Sequence, residues 1–154
     1  MRLLASALGL LLTTAATAQD ERYSVMALTD ARPSWSVELA DEPAEQSRGL
    51  MFRRSMTPMT GMLFDFGRTE PVSMWMRNTF IPLDMVFICA DGTVSRVAAN
   101  TVPETDTVVP SGEDVRYVLE INAGEAAKHG IARGVDMGTP DGPFFAGAAS
   151  GCGR

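Results

Sequence analysis

Seven polar or aromatic side chains stand in or beside otherwise apolar stretches of the chain: Arg48, Arg53, Trp75, Arg77, Asn78, Asp84 and Glu120. Arginine offers a rigid donor fork suited to carboxylates, and tryptophan offers a flat stacking surface. Together they could hold an anionic or sugar-like small ligand. The competing use is structural, with Arg48 or Arg77 closing an internal ion pair on Asp84 or Glu120. Asp84 and Glu120 also raise the chemistry of glycoside hydrolysis, which needs two acids within about 10 Å of each other. Other catalytic groupings are missing. His129 is the only histidine, so neither a two-histidine metal site nor a His-Glu-x-x-His helix can form. Its place beside Lys128 and Gly130 suits a helix terminus better than a general base. There is no Gly-x-Ser-x-Gly and no glycine-rich phosphate loop.

Sulfur is the second source of chemistry. The chain has 10 methionines, and Met56, Met59 and Met62 recur at three-residue intervals. Thioethers select Cu(I). Met62, Met74, Met76 and Met85, however, fall on apolar strand positions where methionine fills gaps in a core. That leaves Met56 and Met59 without a packing role, too few for a site of their own. The expectation is no metal and no cofactor, with copper binding through Met56, Met59 and Met62 as the residual alternative. Cys89 and Cys152 are the only cysteines, and a bridge between them would close a loop of 63 residues. The chain-entropy model assigns such a loop about 4 kcal/mol. The alternative is an inert, buried Cys89 and a free Cys152. No Cys-x-x-Cys occurs, so a thioredoxin-like role has no support.

These residues need a scaffold and an address. Met1 and Arg2 precede an apolar run over residues 3–12, which ends in the small-residue stretch Ala16, Thr17, Ala18. This is the pattern of a secretory signal cut after Ala18, too short for a permanent bilayer span of about 20 residues. The expectation is a periplasmic or secreted protein beginning at Gln19, in a compartment where thiols pair. Removing Arg2 takes the formal charge from −6 to −7. An acidic balance argues against nucleic acid as a partner, since phosphate binding needs clustered Lys and Arg.

The remaining residues make one domain. The organisation expected is a signal over 1–18, a weakly patterned lead-in over 19–33, a β-rich domain over 34–138 and a Gly/Ala-rich tail over 139–154. Trp35, Val37 and Leu39 alternate with polar neighbours as a half-buried strand does. Pro43 opens a short helix near residues 44–51. Alternation returns over 62–66 and 72–76, and residues 83–89 are apolar on both faces, as in a central strand. Asp91 and Gly92 turn the chain back into a partner strand over 93–101. A loop follows over 103–112, then a strand whose one face carries Val115, Tyr117, Leu119 and Ile121 and whose other carries Arg116, Val118 and Glu120. Residues 124–129 form one or two helical turns closed by Gly130, and 135–137 a last short strand. Short strands with turns between them, and no regular helix alternating with them, predict a mainly-β sandwich or barrel-like domain.

Several blocks carry a family resemblance: Arg48-Gly49-Leu50-Met51-Phe52-Arg53, Gly61-Met62-Leu63-Phe64-Asp65-Phe66, Trp75-Met76-Arg77-Asn78-Thr79 and Ile81-Pro82-Leu83-Asp84. The Asp91-Gly92 turn, Val118 through Gly124, Gly130-Ile131 and Gly134 continue the series in order. The chain resembles the domain-of-unknown-function 192 family, across about residues 35–137. The resemblance implies a single compact, jelly-roll-like β domain and no assigned activity. Met56, Met59, Cys89 and the Cys152 tail lie outside it. Two function classes follow. The first is an exported binding or accessory module for a small ligand or an envelope protein. The second is a carboxylate-dependent hydrolase acting on an envelope sugar.

Overall fold

The computed structural model describes residues 23–27, 34–137 and Cys152. The expected signal and most of the expected tail lie outside the described residues. In chain order the elements are β1 (Tyr23–Ala27), β2 (Ser34–Ala40), α1 (Pro43–Arg48), β3 (Thr60–Met74), β4 (Leu83–Ile88), β5 (Val94–Ala98), β6 (Val109–Asn122) and α2 (Glu125–Lys128). The strands form one sheet in the order β1-β2-β3-β6-β4-β5. Among the described residues only β2 and β3 pair in parallel, with α1 in the connection between them.

Local sequence explains the well-placed elements. All six residues of β4 are buried, because β5 and β6 flank it and both its faces are covered. Asp91 bonds the Thr93 N–H and Gly92 takes φ 90°, so the β4–β5 turn closes without strain. Helix α1 starts at a proline whose missing N–H would have no intrahelical partner, and it stops at Gly49.

Long-range pairing explains the differences from expectation. The alternating stretches at 62–66 and 72–76 belong to one 15-residue strand, β3, which follows the 14-residue β6 along its length. Register shifts between Asp65 and Glu70 bend the pair without ending it, and the Asp65 carboxylate accepts the Gly67 N–H at 2.8 Å in the bend. Strand β6 begins at Val109, inside the segment expected to be a loop. The lead-in contains β1, an edge strand paired with β2. The last short strand is reduced to one bridge, Thr93 to Asp136.

The mainly-β, single-domain expectation holds, as a single continuous sheet that curls. Strand β5 reaches the first half of β6 through side chains: the Ser95 hydroxyl donates to the Glu113 carboxylate and Arg96 donates to the Pro110 carbonyl. Each face of the sheet carries a core. One contains Trp35, Val37, Leu63, Val86, Tyr117, Leu119 and Ile121 and is closed by Ala126, Ile131 and Met137. The other contains Met62, Phe64, Leu83, Met85, Phe87 and Val118 and is closed by Leu50, Met76 and Ile81. A disulfide joins Cys89, just after β4, to Cys152, with the two Cα atoms 4.8 Å apart.

Candidate functional site

The sheet register places Glu38, Met62, Glu120, Met85 and Ala98 in one row across β2, β3, β6, β4 and β5. Paired residues project to the same face, so Glu120 points into the core containing Met62, Phe64 and Met85. It is only 4% exposed. Among the described residues no hydrogen bond or ion pair reaches its carboxyl group. Burial alone pushes that group up to about 8, so at neutral pH it is mostly the uncharged acid.

Glu120 forms part of the wall of a small cleft of about 180 Å³. Leu50, Met51, Phe64, Phe66, Met74 and Trp75 supply apolar walls, with the Phe64 and Phe66 rings stacked at 14° and centroids 6.4 Å apart. Arg48, from the last turn of α1, and Ser47, Ser73 and Thr79 supply polar atoms. Gly49 lies against the acid. It adopts φ 48° and ψ −136°, and a Cβ there would stand 3.2 Å from Phe64 Cζ and 3.9 Å from Glu120 Oε2. A wider groove shares Arg48, Gly49 and Met51 with the cleft and includes Glu38 and Arg53.

The structure divides the seven residues singled out from sequence. Arg48, Trp75 and Glu120 meet at the cleft. Arg53 lies in the adjoining groove in a bidentate pair with Glu38. Arg77 lies over the Trp75 ring at 5.7 Å from its centroid and pairs with Asp106 at 2.7 Å, on the surface. Asn78 pins one loop to another: its backbone carbonyl accepts the Phe52 N–H at 2.8 Å, and its side-chain amide faces the Met51 sulfur at 3.9 Å. Asp84 is fully buried and accepts the N–H groups of Asn100, Gly124 and Ala126 at 2.8, 2.9 and 3.0 Å. The internal pairs considered between Arg48 or Arg77 and these two acids do not form.

The carboxylate pair needs the same correction. Asp84 is in register with Ile121 and Met85 with Glu120, so the two acids project to opposite faces of the sheet. Glu38 shares a face with Glu120 but is two strands away, about 10 Å between backbones, and Arg53 already holds it. The methionine triplet is similarly divided. Met56 packs against the core that contains Met62, and Met59 packs against the core on the opposite face, so both have the packing role the sequence did not reveal. Among the described residues no three His, Cys, Asp or Glu side chains gather to hold a metal ion. His129 stands edge-on to Trp35 with its Nε2 buried and unbonded.

Sequence reading missed Ser73, Thr79 and the Phe64–Phe66 wall, which are separated along the chain and line one cleft in the fold. It also missed Glu125, whose two oxygens accept the Trp35 indole N–H at 3.1 Å and the Met59 N–H at 3.0 Å. The signal for Glu120 was available: it sits between Leu119 and Ile121, in phase with apolar Val118.

A curled mainly-β domain with a small aromatic cleft over a buried acid is the class these features define. The sequence profile of DUF192, an uncharacterized ACR, matches residues 25–138, and the chain belongs to that family. It is similar to two solved structures. One, from Sinorhizobium meliloti 1021, is named as a candidate transcription regulator; it is 46% identical with a TM-score of 0.69, over 73% of this chain and 87% of that one. The other is a protein of unknown function from Novosphingobium aromaticivorans DSM 12444; it is 39% identical with a TM-score of 0.69, over 74% of this chain and 83% of that one. No curated protein matches.

Proposed function

We propose that the protein is an exported binding or accessory module that takes a small ligand in the cleft over Glu120. One observation carries this reading: a buried acid with no partner among the described residues borders an open, aromatic-walled cleft with Arg48 and Trp75. An unpaired buried acid costs stability, and ligand recognition gives it a use that folding does not. Apolar walls with a few convergent polar groups are the usual make-up of a small-molecule site. Export rests on the leader pattern of residues 1–18, and the Cys89–Cys152 bridge suits an oxidising compartment. No helix among the described residues is long and apolar enough to cross a membrane. The regulator name of one similar structure gains no support from this chain's formal charge of −6, which disfavours nucleic acid.

A thermal-shift screen against metals, sugars, organic anions and amines tests the binding reading. A ligand at 100 times its Kd adds about 2.7 kcal/mol to the native state, and Trp75→Ala should remove that gain. A screen in which every hit is indifferent to Trp75→Ala and Glu120→Gln would remove the cleft from consideration. Export is checked by fractionation and N-terminal sequencing: a mature protein starting at Gln19 is expected. A cytosolic protein retaining residues 1–18 contradicts it.

A further inference from the structure

We infer that the cleft selects an organic ammonium group, with the Glu120 carboxylate as its counter-ion and the Phe64, Phe66 and Trp75 rings as its walls. The inference rests on the cleft being a ligand site and specifies the ligand's chemical class.

Charge decides first. Two ionisable groups line the cleft, Glu120 and Arg48, and the buried one is the acid. Met62 and Phe64 face it from β3, Met85 faces it from β4, and the α1 end contributes Arg48. The charged Glu38 on β2 is two strands away and held by Arg53. Arg48 is exposed, so it meets a ligand where water screens its charge. An anion entering the cleft would approach Glu120 and gain little from Arg48. A cation gains a counter-charge in a low-dielectric site. The net charge of −6 also attracts cations from a distance.

The walls point the same way. Aromatic faces carry negative potential, and a cation within about 6 Å of a ring centroid is stabilised by it, more so when desolvated. Two stacked phenyl rings beside one carboxylate can offer an ammonium group both contacts, and the indole, which already has Arg77 at 5.7 Å from its centroid, adds a further wall. Size sets how much of the ligand is held. At about 180 Å³ the cleft is smaller than the roughly 300–1,000 Å³ of a drug-sized site. It therefore takes an ammonium head, and the rest of the molecule leaves past Arg48.

Binding moves a proton. The free protein holds Glu120 as the neutral acid near pH 7; the O–H bond breaks, the proton goes to solvent, and the carboxylate pairs with the ammonium. No other bond changes. Only the ionised fraction of the protein is competent, so affinity scales with that fraction. It should weaken about tenfold per unit as pH falls from 7.5 to 6, while an alkylammonium stays charged throughout.

The test is an NMR titration of the protein with n-butylammonium, choline, n-butyrate and glucose at pH 6, 7 and 8.5. The Trp75 indole N–H reports on the cleft, and the Trp35 indole N–H, bonded to Glu125 in the other core, is the internal control. Expected is a saturable shift of Trp75 with one or both ammonium probes, tighter at higher pH and lost in Glu120→Gln. The choline arm separates a purely aromatic and ionic contact from one that needs N–H donors. If butyrate or glucose shifts Trp75 and the ammonium probes do not, the cleft is a ligand site and the ammonium assignment is overturned. Ammonium binding that is independent of pH, or unchanged in Glu120→Gln, also overturns it. If none of the four probes shifts Trp75, both the assignment and the cleft reading fail.

Discussion

Asp84 and Glu120 occupy neighbouring positions on paired strands and are both buried, yet among the described residues one carboxyl group is bonded three times and the other not at all. Asp84 ties the β4 start to Gly124 and Ala126 at the beginning of α2 and to Asn100 after β5. Asp84→Ala would strand three backbone donors, and a loss of about 3 kcal/mol or more in urea unfolding is expected. Glu120 behaves oppositely. Its ordinary value is 4.5 and burial raises it to about 8, so the native state binds its proton more tightly than the unfolded chain does. Its contribution to stability is therefore full below about pH 4.5, falls as pH rises to about 8, and is flat above. Glu120→Gln removes that dependence. Relative to wild type the variant should gain stability from pH 5 to 9, on the order of several kcal/mol in total. Parallel stability curves for the two proteins would show that Glu120 is not the unpaired acid described. The sequence revealed which residue types carry chemistry. It could not separate these two acids, because their faces depend on the β4–β6 register.

The elements most legible in sequence are those fixed locally. Strand β4 announces itself by five apolar residues around Asp84, the β4–β5 turn by Asp91 and Gly92, and α1 by Pro43 and Gly49. The bend of β3 and β6 was not legible, since a bulge is defined by two strands at once. Nor was β1, an edge strand that needs only one neighbour and so carries little pattern. The β3–β6 pairing matters because it brings Phe64, Phe66 and Ser73 to Glu120. Gly61 permits a close approach: a Cβ there would stand well inside van der Waals contact of the Glu120 backbone carbonyl oxygen. Gly61→Ala should therefore force the strands apart beneath the cleft and cost about 3 kcal/mol or more. Chemical denaturation measures the loss, and a variant as stable as wild type would contradict the pairing.

At the scale of the whole molecule, two apolar faces on one sheet account for its stability, and the disulfide adds a constraint on the unfolded chain. The Cys89–Cys152 bridge closes a 63-residue loop. Cys152→Ser should lower unfolding stability by up to about 4 kcal/mol. Reductant should lower the wild type to the same level and leave the variant unchanged. Charge was legible in the composition, and the leader pattern of residues 1–18 supports the proposed export; neither chooses a partner. The choice rests with the cleft, and the cleft rests with one carboxyl group. The most direct measurement is a carbon-13 NMR titration of the Glu120 side-chain carboxyl in the free protein. A midpoint near 8 is the result expected of a buried, unpaired acid waiting for a counter-charge. A midpoint near 4.5, the value of an ordinary solvated glutamate, would contradict it.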